Sequence, residues 1–373
     1  MKFTIKKSDI IDVLARIQGI TSRKSNLNMT ENVLVKSADS RISVAATDLE
    51  TGFEGFYPAE IEIDGVIAIN AKKLFEIVKN FPKDEIILTE VENRWLKIGN
   101  DTVEYNIVGS NPDDFPEIPL VDDVVLFEIN SIDLKKMIEK AVMIGAASDE
   151  KRAHILGIHF QWIKLDNQRM IRMVSTDGKR LSKVDCLFSG GEPADGFSDS
   201  VIIPKKGLNE VSKFLDVEGN VQIGIKSHHF IIKKQNETII LGLLEGDFPQ
   251  YETLLDISGK NTVELNKQDF KMMLKRMSIL TSDEYKGVIF KFGDDKLTIT
   301  TANPELGESK EDMTITYPFN EEEIAFNPYF FIDALSHINS DTVTLYIKNK
   351  ENPCIIAGKD DQTFLSVIMP MKI

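Results

Sequence analysis

Three segments of the chain share one pattern, in which a short alternating strand leads directly into an amphipathic helix. They begin at Phe3, Phe127 and Val263 and read FTIKKSDIIDVLARI, FEINSIDLKKMIEKA and VELNKQDFKMMLKRM. Apolar residues first alternate and then recur every three or four positions, so a period of two gives way to a period of 3.6. Each segment therefore predicts a β-strand followed by a helix with one buried face.

A second pattern also occurs three times: an apolar strand ends at Asn or Pro and a second helix follows. Its anchors Asn70, Pro204 and Asn327 are 134 and 123 residues apart. Polar turns after a β-run recur in the same order, and Asp-Phe-Pro closes the first two copies. Several patterns repeated in one order at this spacing predict three related domains.

Each predicted domain combines two helices with many short strands. The strands alternate with period two and are separated by Gly, Asn and Asp turns, which is typical of antiparallel pairing. The predicted class is therefore α+β, with antiparallel sheets and few helices. Connectors containing Pro and Asp place the domain boundaries so that the domains cover 1–124, 125–257 and 258–373.

Charge is distributed unevenly between the helices and the rest of the chain. The sequence has 44 basic and 59 acidic residues and a net charge of −15, which taken alone argues against nucleic acid. The six predicted helices nevertheless carry a net charge of +6. They cover residues 8–20, 71–80, 131–144, 205–215, 267–277 and 328–338. Helices from all copies that shared one basic surface would suit a polyanion, with Lys72, Lys205 and Lys271 facing solvent there.

The sequence offers no pattern for catalysis or for a bound metal or cofactor. It has no phosphate-binding glycine-rich loop, no HExxH, no CxxC and no GxSxG, the patterns that most often carry such chemistry. His154 and His159 are five residues apart, a spacing that does not place both on one face of a helix or strand. We therefore expect no catalytic residue, no metal site, no cofactor and no enzymatic activity.

The compartment follows from cysteine usage and from the lengths of the apolar runs. Two cysteines, Cys186 and Cys354, cannot build a disulfide framework and favour a reducing cytoplasm. A membrane span needs about 18 apolar residues in succession, whereas a long run in this chain, such as that from Ile239 to Leu244, is far shorter. The N-terminus has charges inside its apolar stretch, unlike a signal peptide. We expect a cytoplasmic protein without a membrane partner.

Distinctive segments are spread over the whole chain. They are MKFTI at the start, STDGKRLS at 175–182, VIIPKKG at 201–207, LEGDFPQY at 244–251, ILTSDEYKGV at 279–288, ITTANPE at 299–305 and VIMPMKI at the end. Together they closely resemble the bacterial DNA polymerase III beta subunit family, the sliding clamps. The resemblance implies three copies of one DNA-clamp domain, with antiparallel sheets outside and two helices per domain facing a central hole.

The same resemblance implies a function and a set of partners. The chain would be a non-catalytic processivity factor for DNA polymerase, a ring-shaped homodimer that encircles duplex DNA, slides along it and tethers proteins through a hydrophobic cleft. Its partners would be duplex DNA of any sequence, a second copy of itself, the DNA polymerase III catalytic subunit, the clamp loader and other proteins with a clamp-binding motif.

The resemblance also assigns residues to three sites. The partner-binding cleft, between the second and third domains, would comprise Ile155, Thr176, Gly178, Lys179, Arg180, Leu181, Pro249, Leu254, Val367, Met369, Pro370, Met371 and Lys372. Contacts to DNA would come from Lys24, Lys72 and Arg152, to which the helix charges add Lys205 and Lys271. The dimer interface would pair Lys73, Tyr105 and Ile107 of one chain with Ile279, Leu280, Glu305, Glu308 and Glu311 of the other.

Three places depart from the family pattern. Ala153 and His154 stand where the family carries aromatic side chains near DNA, and the segment 27–29 lacks the expected proline. Gly307 and Lys310 interrupt the acidic stretch 305–312, which would weaken the electrostatic part of the dimer interface.

Two other functions remain open at this point. A docking scaffold of the clamp fold that does not encircle DNA would keep the cleft and lose the basic helices, so the helix charge argues against it. An enzyme with a site assembled between domains would need convergent titratable groups, and the sequence shows none. Clamps of the archaeal and eukaryotic type have two domains per chain, so three repeats disfavour them.

Overall fold

The computed structural model describes residues 1–21, 28–119, 123–145, 150–165, 167–188, 200–215, 218–282 and 286–372. Within these ranges the chain is built mainly from short strands, with helices between them. Lys24 and Leu27 lie outside the described residues. In the described part of the chain, no helix is long and apolar enough to qualify as a candidate membrane span.

The strands fall into three successive sets that follow the sequence repeat. The first set is β1 (Lys2–Lys6), β2 (Asn32–Ala38), β3 (Arg41–Thr47), β4 (Thr51–Pro58), β5 (Glu60–Ile63), β6 (Gly65–Asn70), β7 (Glu85–Glu90), β8 (Trp95–Gly99) and β9 (Glu104–Val108). The second is β10 (Phe127–Asn130), β11 (Gly157–Leu165), β12 (Gln168–Thr176), β13 (Arg180–Leu187), β14 (Ser200–Pro204), β15 (Asn220–Lys226), β16 (His229–Lys234) and β17 (Glu237–Gly242). The third is β18 (Asn261–Asn266), β19 (Val288–Gly293), β20 (Lys296–Asn303), β21 (Gly307–Thr314), β22 (Glu322–Phe326), β23 (Thr342–Ile347), β24 (Cys354–Gly358) and β25 (Phe364–Ile368).

The six predicted helices all form. The α-helices are α1 (Lys7–Arg16), α2 (Gln18–Thr21), α3 (Ala71–Asn80), α4 (Ser131–Val142), α5 (Ala153–Leu156), α6 (Lys205–Phe214), α7 (Lys267–Met277) and α8 (Pro328–His337). The helix predicted over 8–20 is divided at Ile17 into α1 and α2. A Cβ on Gly19 of α2 would overlap the Glu210 carboxylate, so a larger residue at this position would require that side chain to move. The short helix α5 was predicted as a loop.

One lysine contact recurs in every repeat. A lysine near the start of the first helix donates from Nζ to the carbonyl oxygen at the C-terminal end of the second, over 2.9, 3.3 and 3.0 Å. The pairs are Lys7 with Phe81, Lys135 with Leu215, and Lys267 with Ile338. An ammonium group satisfies the last carbonyls of a helix and opposes its dipole. These lysines therefore hold each helix pair together. The net charge of the helices consequently overstates the positive charge that is available to a ligand.

The strands form four antiparallel sheets, as the sequence predicts. Their orders are β5-β1-β7-β8-β9, β10-β15-β16-β17-β4-β3-β2-β6, β14-β11-β12-β13-β25-β24-β23-β18 and β21-β20-β19-β22. The described chain divides into two compact units. The first contains Met1–Lys135 and Ile203–Leu244, and the second contains Lys136–Phe188 and Glu245–Ile373. Because the middle repeat contributes to both, this division does not test the three boundaries drawn from the sequence.

Each unit contains one junction between strands of different repeats, and both junctions follow the same rule. In the first unit β17 pairs with β4, and in the second β25 pairs with β13. By order within the repeat, β9, β17 and β25 correspond to one another, as do β4, β13 and β21. Each junction therefore joins a β9-type strand (β9, β17 or β25) to a β4-type strand (β4, β13 or β21). The remaining members, β9 and β21, are edge strands of their sheets.

Candidate functional site

A pocket of about 610 Å³ lies beside the C-terminal residues of the second unit, and we call it the tail pocket. It is lined by Gly145, Asp177, Gly178, Lys179, Lys286, Asn327, Phe330, Met369, Pro370, Met371 and Lys372. Six of these residues belong to the cleft predicted from the sequence. The tail pocket is therefore where the structure brings part of that predicted cleft together.

Backbone hydrogen bonds hold the chain end as the wall of the tail pocket. After β25 ends, the Met369 N–H donates to the Lys179 carbonyl over 3.0 Å, and the Met371 N–H donates to the Ala325 carbonyl over 2.8 Å. Both methionine side chains remain 37% exposed. Because a thioether chain is flexible and polarisable, this wall can adapt to different apolar side chains.

The turn between β12 and β13 also lines the pocket and is bonded to the chain end at Lys179. The Asp177 carboxylate accepts the N–H groups of Lys179 and Arg180 over 2.9 and 3.0 Å. The Thr176 hydroxyl donates to the Arg180 carbonyl and accepts the Gly178 N–H. Gly178 has a φ of +85°, a backbone conformation that favours glycine. The Thr-Asp-Gly sequence therefore builds a tight turn that presents Lys179 at the pocket rim.

Arg180 ties this turn to helix α8. Its guanidinium donates to Asp177 over 3.1 Å and to Asp333 over 2.6 Å, and it lies 4.4 Å from the centroid of the Phe330 ring. The side chain is only 10% exposed. Arg180 is therefore a positioning residue, because it binds two carboxylates and stacks on Phe330, and so fixes Phe330 and Asp177 around the pocket.

We expect Arg180→Lys to lower the affinity of the tail pocket for an apolar peptide. Lysine keeps the charge but loses the planar fork and the stack on Phe330, and we expect the free energy of unfolding to fall by about 1 kcal/mol. Peptide titration measures the affinity, and urea unfolding measures the free energy of unfolding. Arg41→Lys is the matched control, because Arg41 stacks on Phe56 at 4.8 Å in the first unit. Equal peptide affinities in the two variants would contradict the positioning role.

Beneath the tail pocket, the remaining cleft residues are mostly part of the core. Leu181 and Val367 belong to a buried cluster with Tyr251, and the half-buried Leu254 packs against it. Of the three further predicted residues, Ile155 and Thr176 are buried, whereas Pro249 is exposed. The buried residues support the pocket, and their side chains are not open to a partner in this structure.

Asn327 and Phe330 line the pocket but were not identified from the sequence as site residues. Asn327 caps helix α8, since its Oδ1 accepts the Tyr329 N–H over 3.0 Å, and Phe330 follows within the first turn. The sequence repeat identifies Asn327 as a helix anchor. Its place in the same pocket as Met369 depends on long-range packing, which no local pattern reveals.

In the first unit the corresponding place is built differently. Gly52 of β4 occupies the repeat position of Leu181, and a Cβ there would lie 3.0 Å from the Ile118 side chain. Phe115 and Ile118 of the connector pack against Ala45 and the sheet. The connector therefore lies over part of the surface that corresponds to the cleft, and it lines a separate pocket of about 700 Å³ there together with Ala45 and Ile240.

The predicted DNA contacts differ in their exposure. Lys72 is exposed on α3, and Lys271 on α7 is half-buried. Burial lowers the pKa of the Lys271 ammonium group, and the charges of Lys275 and Lys267 lower it further. The expectation that Lys205 faces solvent is wrong, because it is only 6% exposed at the start of α6.

Arg152 is exposed, but its charge is already paired. Its guanidinium binds both carboxylate oxygens of Glu150, over 2.9 and 2.8 Å. Hydrogen bonds from the Arg152 side chain and backbone lower the pKa of Glu150 to about 2. A contact from Arg152 to DNA would have to compete with this pair. The neighbouring Ala153 and His154 lie in α5, where the His154 ring is edge-on to Phe248.

The predicted interface residues of the first unit lie on and beside edge strand β9. Tyr105 is exposed and Ile107 is half-buried. They lie opposite Ile98 and Leu96, so both are on the face of the sheet that packs on the core. Lys73 forms an ion pair with Glu76 of its own helix over 3.0 Å.

In the second unit, the predicted interface residues differ in how exposed they are and in whether their charge is already paired. Ile279 is 72% exposed, and Leu280 is half-buried in the same short turn. Glu305 and Glu308 are exposed, whereas Glu311 binds Arg276 of its own chain, and this hydrogen bond lowers the pKa of Glu311. Glu308 and Glu311 are three residues apart in β21, so they point to opposite faces and cannot form one acidic row.

Within the described ranges, no cluster of three or more His, Cys, Asp or Glu side chains could hold a metal ion. The buried thiol of Cys354 has its pKa raised by desolvation to about 12, which keeps it protonated and unreactive at neutral pH. The tail pocket therefore offers binding surface without groups arranged for chemistry.

Three family profiles match almost the whole chain. They are the N-terminal, central and C-terminal domains of the DNA polymerase III beta subunit, matched by residues 1–119, 128–250 and 253–372. Among curated relatives, the beta sliding clamp of Chlamydia pneumoniae is 26% identical over 373 residues, covering 100% of this chain and 99% of the relative. The beta sliding clamp of Pseudomonas putida is 28% identical and both chains are covered completely.

Solved structures give the same answer. The DNA polymerase III subunit beta from Pseudomonas aeruginosa superposes with a TM-score of 0.92 at 26% identity, with both chains fully covered. A sliding clamp of the same organism bound to griselimycin has a TM-score of 0.91 at 26% identity, again with full coverage of both. Both the three-domain clamp fold and the absence of catalytic function predicted from the sequence agree with these matches. The chain belongs to the DNA polymerase III beta subunit family, the sliding clamps, and is a non-catalytic processivity factor that works as a homodimeric ring.

Proposed function

We propose that this clamp tethers its partners at the tail pocket and the cluster beneath it, holds duplex DNA through the exposed cations of its helices, and closes through β9 and β21. Its partners would be duplex DNA of any sequence, the DNA polymerase III catalytic subunit, the clamp loader and other proteins with a clamp-binding motif. The three domains would have the boundaries 1–124, 125–257 and 258–373. A replication factor works where the chromosome lies, so we place it in the cytoplasm.

One observation carries the proposal for closure: both junctions inside the chain pair a β9-type strand with a β4-type strand. An edge strand presents unpaired N–H and C=O groups and readily accepts another strand. If β9 of one copy met β21 of a second copy, the same rule would apply a third time. Two such contacts, related by symmetry, would close a dimer without leaving either edge exposed.

The proposal for the cleft depends on the shape and chemistry of the tail pocket. It is a concave surface with two exposed methionines, a proline and the Phe330 ring, of a size suited to a few apolar side chains. Because the methionine wall is adaptable, it suits several peptides that compete for one site. Fluorescence anisotropy of a labelled clamp-binding peptide tests this directly.

DNA binding by this clamp should be weak and sensitive to salt. We expect Lys72→Glu, Lys206→Glu and Lys271→Glu together to reduce the affinity for duplex DNA. Each phosphate contact contributes about 0.9 to the slope of log affinity against log salt, so the slope should fall by about 3 at most. Lys206 replaces Lys205 in this test because Lys206 is exposed. Reversing the charge of the buried Lys205 would disrupt the fold.

The control for this variant reverses three exposed lysines that are not on helices, namely Lys36, Lys296 and Lys350. Both triple variants change the net charge equally, so any difference between them comes from position. Equal salt slopes in the two variants, measured on a duplex oligonucleotide, would show that the helices do not form the DNA surface.

A further inference from the structure

The tail pocket carries exposed positive charge on a chain whose net charge is −15. Lys179, Lys286 and Lys372 all line the pocket and are exposed, and the first and last of them flank the methionine residues of the wall. Asp177, the one acidic side chain in the described lining, accepts two backbone N–H groups and the Arg180 guanidinium. That carboxylate is therefore already compensated, and the charge presented to a ligand at the rim is positive.

Lys179 and Lys372 lie at opposite ends of the methionine wall. Lys179 is at the Met369 end, because its carbonyl accepts the Met369 N–H. Lys372 follows Met371, whose N–H is bound to Ala325. A fully extended chain rises about 3.3 Å per residue, so the Lys372 backbone lies at most about 10 Å from that of Met369. An apolar peptide lying along the wall would therefore have an ammonium group near each end.

We propose that the tail pocket prefers peptides whose apolar core of three or four residues is flanked on both sides by Asp or Glu. This inference rests on the proposed function of the cleft and adds the class of peptide that it prefers. Flexible lysine side chains can follow carboxylates in more than one position. A DNA phosphate would also meet these charges, but the apolar walls between them favour a peptide.

The test uses three synthetic labelled peptides that share one core of leucine and phenylalanine. They carry two aspartates, two serines or two lysines, one residue at each end of the core. At low salt we expect the aspartate peptide to bind roughly threefold to tenfold more tightly than the serine peptide, since one exposed ion pair contributes a factor of about 1.4 to 5. The lysine peptide should bind most weakly. At about 1 M salt, where the Debye length is near 3 Å, the three affinities should converge.

Two variants connect this preference to the named residues. Lys179→Gln combined with Lys372→Gln should reduce the ratio of the aspartate-peptide affinity to the serine-peptide affinity to less than about twofold, because the ammonium groups that flank the methionine wall are then absent. Lys350→Gln removes an exposed charge from another loop of the same unit and should keep the full preference.

Each outcome separates the inference from the proposed function. Equal affinity of the parent for the aspartate and serine peptides at low salt would overturn the charge preference while the cleft itself stands. Failure of all three peptides to bind would contradict the cleft. Displacement of the aspartate peptide by a short duplex, lost in the double variant, would show that the lysines serve DNA and would also overturn the inference.

Discussion

Ile279→Asp is expected to convert the clamp from a dimer to a monomer. Ile279 is 72% exposed in a single chain, so it contributes little to the fold of its own unit. Burying an isoleucine side chain contributes about 1.5–3 kcal/mol, and an unpaired carboxylate at the same place adds a desolvation cost. At about 3 kcal/mol for each of two interfaces, the dissociation constant should rise by roughly four orders of magnitude.

Sedimentation velocity at micromolar concentration measures this change. Leu187→Asp is the control, because Leu187 is 61% exposed on β13 of the same unit and lies away from the edge strand. We expect the control to remain a dimer and both variants to keep the circular dichroism of the parent. A dimeric Ile279→Asp protein would mean that closure does not use this edge.

Deletion of the last five residues, from Met369 to Ile373, should weaken binding of a clamp-binding peptide by thirtyfold or more. The deletion removes one wall of the tail pocket, and truncating a binding hot spot commonly costs about 2 kcal/mol or more. The core strand β25 ends at Ile368 and stays intact. Because β9 and β21 contain none of the deleted residues, the dimer should persist.

A gentler form of this experiment replaces Met369 and Met371 by alanine. Met272→Ala is the control, since Met272 is 39% exposed on α7, close to the value of the two tail methionines. We expect the double variant to bind peptide more weakly and the control to bind normally, by fluorescence anisotropy. Unchanged affinity of the deletion variant would refute the cleft assignment. A monomeric deletion variant would show that the tail supports the fold instead.

The local architecture was largely predictable from the sequence because its signals are local. Period changes located all six helices, and the anchors Asn70 and Asn327 are N-cap residues whose side chains accept a backbone N–H. An asparagine at this position satisfies a helix donor that no other backbone group reaches. Because the same cap and the same change of period recur in each repeat, the repeats can be recognised in the sequence.

The junctions and the charge pattern were not predictable, because they depend on residues far apart in the chain. Arg16 of α1 was counted as a free helix charge, yet it binds Glu237 over 2.6 Å, 221 residues away. Lys205 was placed on a solvated surface, but the neighbouring Gly207 packs tightly against Leu241 of β17. Contacts of this kind depend on the sheet topology, and counting charges along the sequence does not reveal that topology.

The cleft was identified by resemblance, and the structure adds how its residues cooperate. Arg180 was assigned to the cleft as a lining residue, whereas its contacts to Asp333 and Phe330, 153 and 150 positions further along the chain, make it a support. The sequence offers no periodic signal for such a contact, because the partners belong to different repeats.

Topological retention on DNA tests the central claim most directly. The clamp is loaded by a clamp loader onto a nicked circular duplex, the complex is separated from free protein by gel filtration, and the circle is then cut once with a restriction enzyme. A ring that encircles DNA and slides should stay with the circle in high salt and leave once the duplex has ends. Equal retention before and after cutting, or loss from the intact circle, would contradict encirclement and favour a docking scaffold of the same fold.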